Sequence, residues 1–325
     1  MNNVKYLIEG RVDLLQGLYR WTPYIPKLFG FSYWISGRFL DSTFFRLIQF
    51  WQEHDGEFKF TADGYTVLKE LNIGCKIDEA CYYFNQFFRA RDKYRFYSKN
   101  GQVFMEIGGF TFLLNFPHGI FQLLEIFQDN CYELFDVKDK VVVDIGAYIG
   151  DSAIYFAGKG AKKTIAYEPN PHIFEIAKKN VRLNKLTHKI QVRQEAVANE
   201  FGVRDFMFNT ANPGSSSIHF KQEDAVKFQV NTVPLSSITQ ELGHVDLLKL
   251  DCEGAEYEIL PAAYAEGALN NIDKIVMEVH GSSEPILDIL HRAKFKVTKN
   301  QKTWVPPSLR NRLSYLFVEK LFVEK

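Results

Sequence analysis

The second half of this sequence predicts an α/β fold with a mostly parallel sheet, and three observations predict it. The run Val141-Val142-Val143 is apolar and β-branched, which suits a strand covered on both faces. It leads through Asp144 into a glycine turn, Gly146-Ala147-Tyr148-Ile149-Gly150, and then into the start of a helix. From there strand-like and helix-like patterns alternate almost to the end of the chain, as βαβ units do. Carboxylates recur where the strands should end: Glu168, Glu195, Asp251 with Glu253, and Glu278. In an open α/β sheet, strand ends around the switch point face one shared crevice.

Residues 1–60 show amphipathic helical spacing (Leu7, Leu14, Leu15, Leu18) broken by Pro23 and Pro26, followed by an aromatic-rich segment, 27–51. That segment is expected to pack its aromatic face on the main domain. Basic and aromatic residues alternate from Tyr82 to Lys99 and are expected to form a half-solvated face. Asn100-Gly101 between residues 94–98 and 103–107 is a hairpin signal, and 110–115 follows as a further strand. Helical spacing returns over 119–135.

In the α/β part, strands are expected at 141–145, 163–168, 190–197, 203–209, 228–233, 245–251, 274–280, 295–299 and 314–319. Helices are expected at 151–159, 171–184, 235–242, 255–265 and 284–293. The helix at 171–184 presents Ile173, Ile176, Ala177 and Val181 on one face, and Pro285 opens the one at 284–293. The last ten residues repeat Leu-Phe-Val-Glu-Lys; one copy suffices for a closing strand. The expected division is an accessory, acceptor-selecting region over 1–118 and the α/β domain over 119–325.

Composition narrows the function. The chain has 325 residues with 39 basic and 39 acidic side chains, so its formal net charge is zero. A protein seated on nucleic acid backbone usually carries a basic excess, so a nucleic-acid partner is not expected. Cys75, Cys81, Cys131 and Cys252 form no C-x-x-C pair and no zinc spacing, so they read as free thiols in a reducing cytoplasm. Residues 1–20 lack an apolar signal core, and no run approaches the ~20 apolar residues of a spanning helix. The expected location is cytoplasmic, with room for a peripheral membrane contact.

A carboxylate beside a glycine turn repels phosphate but suits a ligand with an ammonium or hydroxyl groups, which points to S-adenosylmethionine (SAM). Glu168 ends the next strand, 24 positions after Asp144, where it can accept from both ribose hydroxyls of an adenosine. NAD sites use a carboxylate in the same way. A dinucleotide motif also wants the middle glycine of G-x-G-x-x-G, and here Tyr148 occupies it. Gln194-Glu195-Ala196 ends the third strand, where Glu195 could accept from the adenine amino group with Ala196 against the ring. Asp251-Cys252-Glu253-Gly254-Ala255-Glu256 follows the strand at 245–251, with Glu256 and Glu258 favoured by the dipole of the next helix. His280 ends a further strand and is a candidate general base.

Together, Val142-Val143-Asp144-Ile145-Gly146-Ala147-Tyr148-Ile149-Gly150-Asp151-Ser152, Glu168-Pro169, Asp251-Cys252-Glu253-Gly254-Ala255-Glu256 and Glu278-Val279-His280-Gly281 resemble the FkbM family of SAM-dependent methyltransferases over residues 119–319. The resemblance implies a Rossmann-like class I methyltransferase fold, with a seven-stranded sheet whose last strand is antiparallel. It implies O-methylation of a hydroxyl on a sugar, glycolipid or polyketide-like acceptor, lipid-linked acceptors included. It places Asp144, Gly146 and Gly150 at the methionine end of SAM and Glu168 at the ribose. Ala147, Tyr148, Ser152 and Pro169 fall within the same motifs, although Tyr148 stands where many members have Asn. His280 is then the base or orienter, with Asp251 and Glu253 binding acceptor hydroxyls or holding His280, and no metal is expected. An RNA or protein methyltransferase and an NAD(P)-binding oxidoreductase are the alternatives.

Overall fold

The computed structural model describes residues 56–58, 94–100, 102–114, 119–133, 135–208, 226–300 and 313–320. The expectations for residues 1–55 and 59–93 and for the second Leu-Phe-Val-Glu-Lys copy lie outside these residues. The chain divides into two compact units, Met1–Leu124 and Glu125–Lys325.

The first unit carries a four-stranded antiparallel sheet in sequential order: β1 (Gly56–Phe58), β2 (Arg95–Lys99), β3 (Gln102–Ile107) and β4 (Phe110–Leu113). The expected hairpin is there, with Asn100 at φ 53 in its turn and Lys99 opposite Gln102. Tyr97 stacks on Phe104 across the strands at 5.0 Å, a cross-strand pair of the kind that holds two-sided sheets in register. Helix α1 (Gly119–Phe127) follows and is shorter than the helical spacing over 119–135 predicted.

The second unit is built on a seven-stranded sheet. Its elements in chain order are β5 (Val141–Ile145), α2 (Asp151–Gly158), β6 (Lys163–Tyr167), α3 (Pro171–Leu183), β7 (Ile190–Arg193), β8 (Ala196–Ala198), β9 (Gly202–Phe208), β10 (Val226–Pro234), α4 (Leu235–Leu242), β11 (Val245–Leu250), α5 (Glu256–Ala265), β12 (Ile272–His280), α6 (Glu284–Arg292), β13 (Phe295–Asn300) and β14 (Leu313–Lys320). The strand order is β13-β14-β12-β11-β5-β6-β7. Neighbours from β12 to β7 pair in parallel, while β14 is antiparallel to both β12 and β13. This is the class I methyltransferase sheet. Its closing strand uses the first Leu-Phe-Val-Glu-Lys copy, and Leu316, Phe317 and Val318 are buried there.

One expected strand divides in two. The stretch 190–197 is interrupted at Gln194-Glu195, so β7 stays at the edge of the main sheet while β8 pairs in parallel with β10. Together β8, β10 and β9 make a separate three-stranded sheet. It closes over Ala196, Phe206 and Val230, with Phe206 stacked on Phe228 at 5.3 Å.

Strand alternation sorts the main sheet's residues between two apolar layers. Val143, Ile145, Leu248, Leu250, Ile275, Met277 and Val279 belong to one, and Val142, Leu247, Val276 and Phe317 to the other. Period two then assigns Asp144, Lys249, Glu278 and His280 to the second face. That face is apolar towards the strand starts and charged towards their ends. Helix α3 is fixed at its start by Asn170, whose Oδ1 accepts from His172 N at 2.9 Å and Ile173 N at 3.3 Å, with Pro171 at the first helical position. Its buried side, Ile173, Ile176, Ala177 and Val181, is the side the spacing predicts.

Candidate active site

The glycine turn is set by its neighbours. After β5, the N–H groups of Gly146 and Ala147 donate to Tyr167 O at 3.1 and 3.0 Å, and Asp251 N donates to Ile145 O at 3.1 Å. The ends of β5, β6 and β11 are therefore tied together by backbone. Gly146 has φ +80, and a Cβ there would sit 1.7 Å from Asp251 O. Tyr148 (φ 44) and Gly150 (φ 82) are also left-handed, so three residues of five take the conformation that closes this turn. Gly150 is the N-cap of α2, so Asp151 and Ser152 lie inside its first turn.

Below the turn lies a group that strand-by-strand reading of the sequence misses. Parallel pairing puts Lys249 beside Asp144. Both side chains are almost wholly buried, and Lys249 Nζ lies 3.2 Å from Asp144 Oδ1. The same ammonium donates to Gly146 O at 2.7 Å and lies 3.9 Å from Asp251 Oδ2. Ser152 Oγ donates to Asp144 Oδ2 at 2.6 Å. Burial disfavours the lysine charge, but Asp144, Asp251 and Asp151 outweigh it and hold the ammonium above its usual range. Asp144 thus engages the protein through both oxygens, bracing the turn from beneath.

Two further carboxyls are buried beside this group. Asp151 is pushed up to about 7 by burial, against the opposing pull of Lys249. Its Oδ1 accepts from Ser152 N at 2.9 Å, while its Oδ2 is buried with no hydrogen-bond partner. Glu168 is pushed up to about 8 by burial, although backbone N–H groups of Asn170 and Tyr148 favour its charge. Its Oε1 accepts from Asn170 N at 2.8 Å. Pro169 follows Glu168 and precedes the α3 cap. Glu195 is half-buried between β7 and β8, whereas Ala196 is buried in the small sheet's own core.

His280, Asp251 and Glu253 converge, as their positions at adjacent strand ends predict. His280 Nε2 lies 3.4 Å from Glu253 Oε2 and 3.9 Å from Asp251 Oδ1. Its Nδ1 lies 3.3 Å from Glu256 Oε1, on a residue to which the sequence assigned only a helix-dipole role. Burial disfavours the imidazolium, yet Glu253 and Glu256, with Glu278, hold His280 well above its ordinary range. Glu253 takes φ 51 and Gly254 φ 99, which bends the chain sharply between β11 and α5. Ligand-type atoms of Asp251, Glu278 and His280 lie within 4.8 Å of one another. These oxygens already balance an imidazolium, and we assign no metal to them. Of the four cysteines expected as thiols, Cys131 and Cys252 are in no disulfide, and Cys75 and Cys81 lie outside the described residues.

A braced glycine turn, a buried carboxylate one strand away and an imidazole–carboxylate cluster on the other side all stand at the strand ends of one parallel sheet. Residues 144–297 match the family described as the methyltransferase FkbM domain. These residues belong to the FkbM methyltransferase family. Methyltransferase sdnD of Sordaria araneosa is 26% identical over 217 residues, covering 56% of this chain and 84% of that protein. Methyltransferase 1 of Beauveria bassiana is 27% identical over 222 residues, covering 60% and 87%. A tRNA m1G37 methyltransferase structure from M. jannaschii is 16% identical with a TM-score of 0.40, covering 71% of this chain and 58% of that one. The FkbM family and the class I sheet imply SAM as the methyl donor. Among the described residues, no helix of this methyltransferase is long and apolar enough to cross a membrane.

Proposed function

We propose that this FkbM methyltransferase carries a methyl group from SAM to a hydroxyl oxygen of a sugar, glycolipid or polyketide-like acceptor. The observation that carries the proposal is the His280 cluster at the β11 and β12 ends, beside the glycine turn. It offers a base and two carboxylates where an alcohol must be oriented and lose its proton. The residues also fit the donor. Asp151 Oδ2 is a buried acceptor without a partner beside the turn, and Glu168 is a carboxylate suited to a pair of ribose hydroxyls. The turn 146–150 would hold the methionine end. When bound, SAM supplies a methyl group made electrophilic by its sulfonium.

The chain's own task is to orient the alcohol and take its proton, and much of the rate comes from that positioning. Asp251 and Glu253 accept from acceptor hydroxyls or hold the ring, and His280 Nε2 takes the proton as the oxygen–carbon bond forms. Because the surrounding carboxylates keep His280 protonated at rest, the ring must first release that proton, so turnover rises with pH above neutrality. His280→Ala and Asp251→Ala should each lower kcat by roughly 100-fold or more while leaving SAM affinity intact. Wild-type turnover in both variants would remove this cluster from the chemistry. The acceptor class is tested by supplying labelled SAM with sugars, glycolipids, hydroxylated polyketides and tRNA side by side. Label on tRNA and on none of the hydroxyl acceptors would overturn the proposal.

Glu168 makes donor binding depend on pH. A carboxyl that titrates near 8 in the free protein must give up its proton to accept two hydroxyls, so SAM binding releases a proton below that pH. Affinity should rise by up to about 50-fold from about pH 6 to about pH 8 and then level off, with the proton release shown by calorimetry in buffers of different ionisation enthalpy. Stability runs the other way. Asp151 and Glu168 both hold protons in the folded state at pH values where the unfolded chain has lost them. Their contribution is complete below the ordinary carboxyl range and is lost as pH rises through about 7 and 8. A thermal midpoint of the SAM-free protein that climbs over this interval would contradict the assignment.

A further inference from the structure

Glu256 is the first residue of α5 and has no exposure at all, although a glutamate at a helix start normally reaches solvent. Its carboxylate gathers donors from two separate segments. Oε1 accepts from the backbone N–H of His280 at 2.7 Å and lies 3.3 Å from the same residue's Nδ1. Oε2 accepts from Gly254 N at 2.9 Å and from Cys252 Sγ at 3.6 Å. One buried carboxylate thus ties the end of β12 to the bend that follows β11, which carries Asp251 and Glu253. We propose that Glu256 is the positioning residue of this site: it turns the His280 ring so that Nδ1 faces the buried carboxylate and Nε2 faces Asp251 and Glu253.

The inference rests on the role given to His280 above and adds what makes that role attainable. A neutral imidazole bears its proton on either nitrogen, and the hydrogen bond made by one nitrogen decides the state of the other. The Glu256 carboxylate 3.3 Å away favours the proton on Nδ1, and a proton held there would leave Nε2 with its lone pair towards the open side of the cluster, where Asp251 is 29% exposed. The groups that bear on the ring are Glu256 and Tyr257 from α5, Asp251 and Glu253 from the bend, and Glu278 on its own strand. Tyr257 OH donates to Ser282 O at 2.7 Å, away from the ring. Glu256 is therefore the fully buried carboxylate among these groups, and it is placed to act on the ring from behind.

The test compares Glu256→Gln, His280→Ala and the wild-type protein in a methyl-transfer assay across pH. Glu256→Gln should lower kcat by roughly 100-fold with KM for SAM unchanged, and should move the rising limb of the rate to lower pH because a carboxylate no longer holds the imidazolium. A merely structural loss would leave that limb where it is. An unshifted limb with near-normal kcat in Glu256→Gln, while His280→Ala is inactive, would overturn the inference and leave the role of His280 standing. Wild-type turnover in His280→Ala would overturn both. A second measurement needs no Glu256 variant: in the wild-type protein with 15N-labelled histidine, the His280 signal, identified by its absence in His280→Ala, should retain its proton on Nδ1 once the ring is neutral. A proton on Nε2 would overturn the inference.

Discussion

Gly146→Ala should lower SAM affinity by about 100-fold or more while the sheet stays folded. The added Cβ would sit 1.7 Å from Asp251 O and 2.8 Å from Asp251 C, and both are backbone atoms that no rotamer can move aside. The φ of +80 adds strain that alanine would carry whatever the space. Relief requires the ends of β5 and β11 to part, which breaks the Asp251 N to Ile145 O hydrogen bond and displaces Asp251 from the His280 cluster. One methyl group thus disturbs the donor turn and the acceptor side together, so SAM affinity and turnover should both fall. Gly243→Ala is the control, because Gly243 also has positive φ, at +74, but has nothing within 4 Å of its missing Cβ. That variant should lose about 1 kcal/mol of stability and no affinity. Titration calorimetry beside circular dichroism separates the two cases, and equal affinities would refute the close approach at Gly146.

Lys249→Met should cost about 3–5 kcal/mol of stability, the usual result of leaving one member of a buried ion pair behind. Asp144 would then be a carboxylate without exposure and without its cation, and Gly146 O would lose its 2.7 Å donor. The decisive comparison adds Asp144→Leu to Lys249→Met. Replacing both charges by apolar groups removes the desolvation cost as well as the attraction, so the double variant should regain much of the lost stability. It should not regain SAM binding, since the turn has lost both Lys249 beneath it and the Asp144–Ser152 hydrogen bond. Denaturant unfolding of the two variants and the parent measures this, and a parental midpoint for Lys249→Met alone would show that the pair does not support the fold.

Much of the α/β unit was legible because its signals are local. The strands at 141–145 and 245–251 and the helices at 171–184 and 235–242 lie within a residue or two of where their patterns put them. The strand over 190–197 failed for a physical reason. Its pattern is continuous, but β8 finds its partner in β10, more than thirty residues later, and only that pairing divides it from β7. Glu256 was legible only in part for a related reason, since its place in the first helical turn is visible in sequence while its burial under His280 depends on β12.

By itself the sequence determined the element types, the glycine turn and the carboxylates and imidazole at the strand ends, because strand alternation, helical spacing and left-handed turns are properties of a few adjacent residues. Only the tertiary structure decided which of these groups meet. Parallel register brings Lys249 to Asp144 across two strands, and the bend after β11 brings Glu256 under His280. Those contacts join residues that lie 105 and 24 positions apart in sequence. Within each strand, Lys249 is only an alternating polar residue. Its charge acquires a purpose once β5 and β11 lie side by side and water is excluded between them.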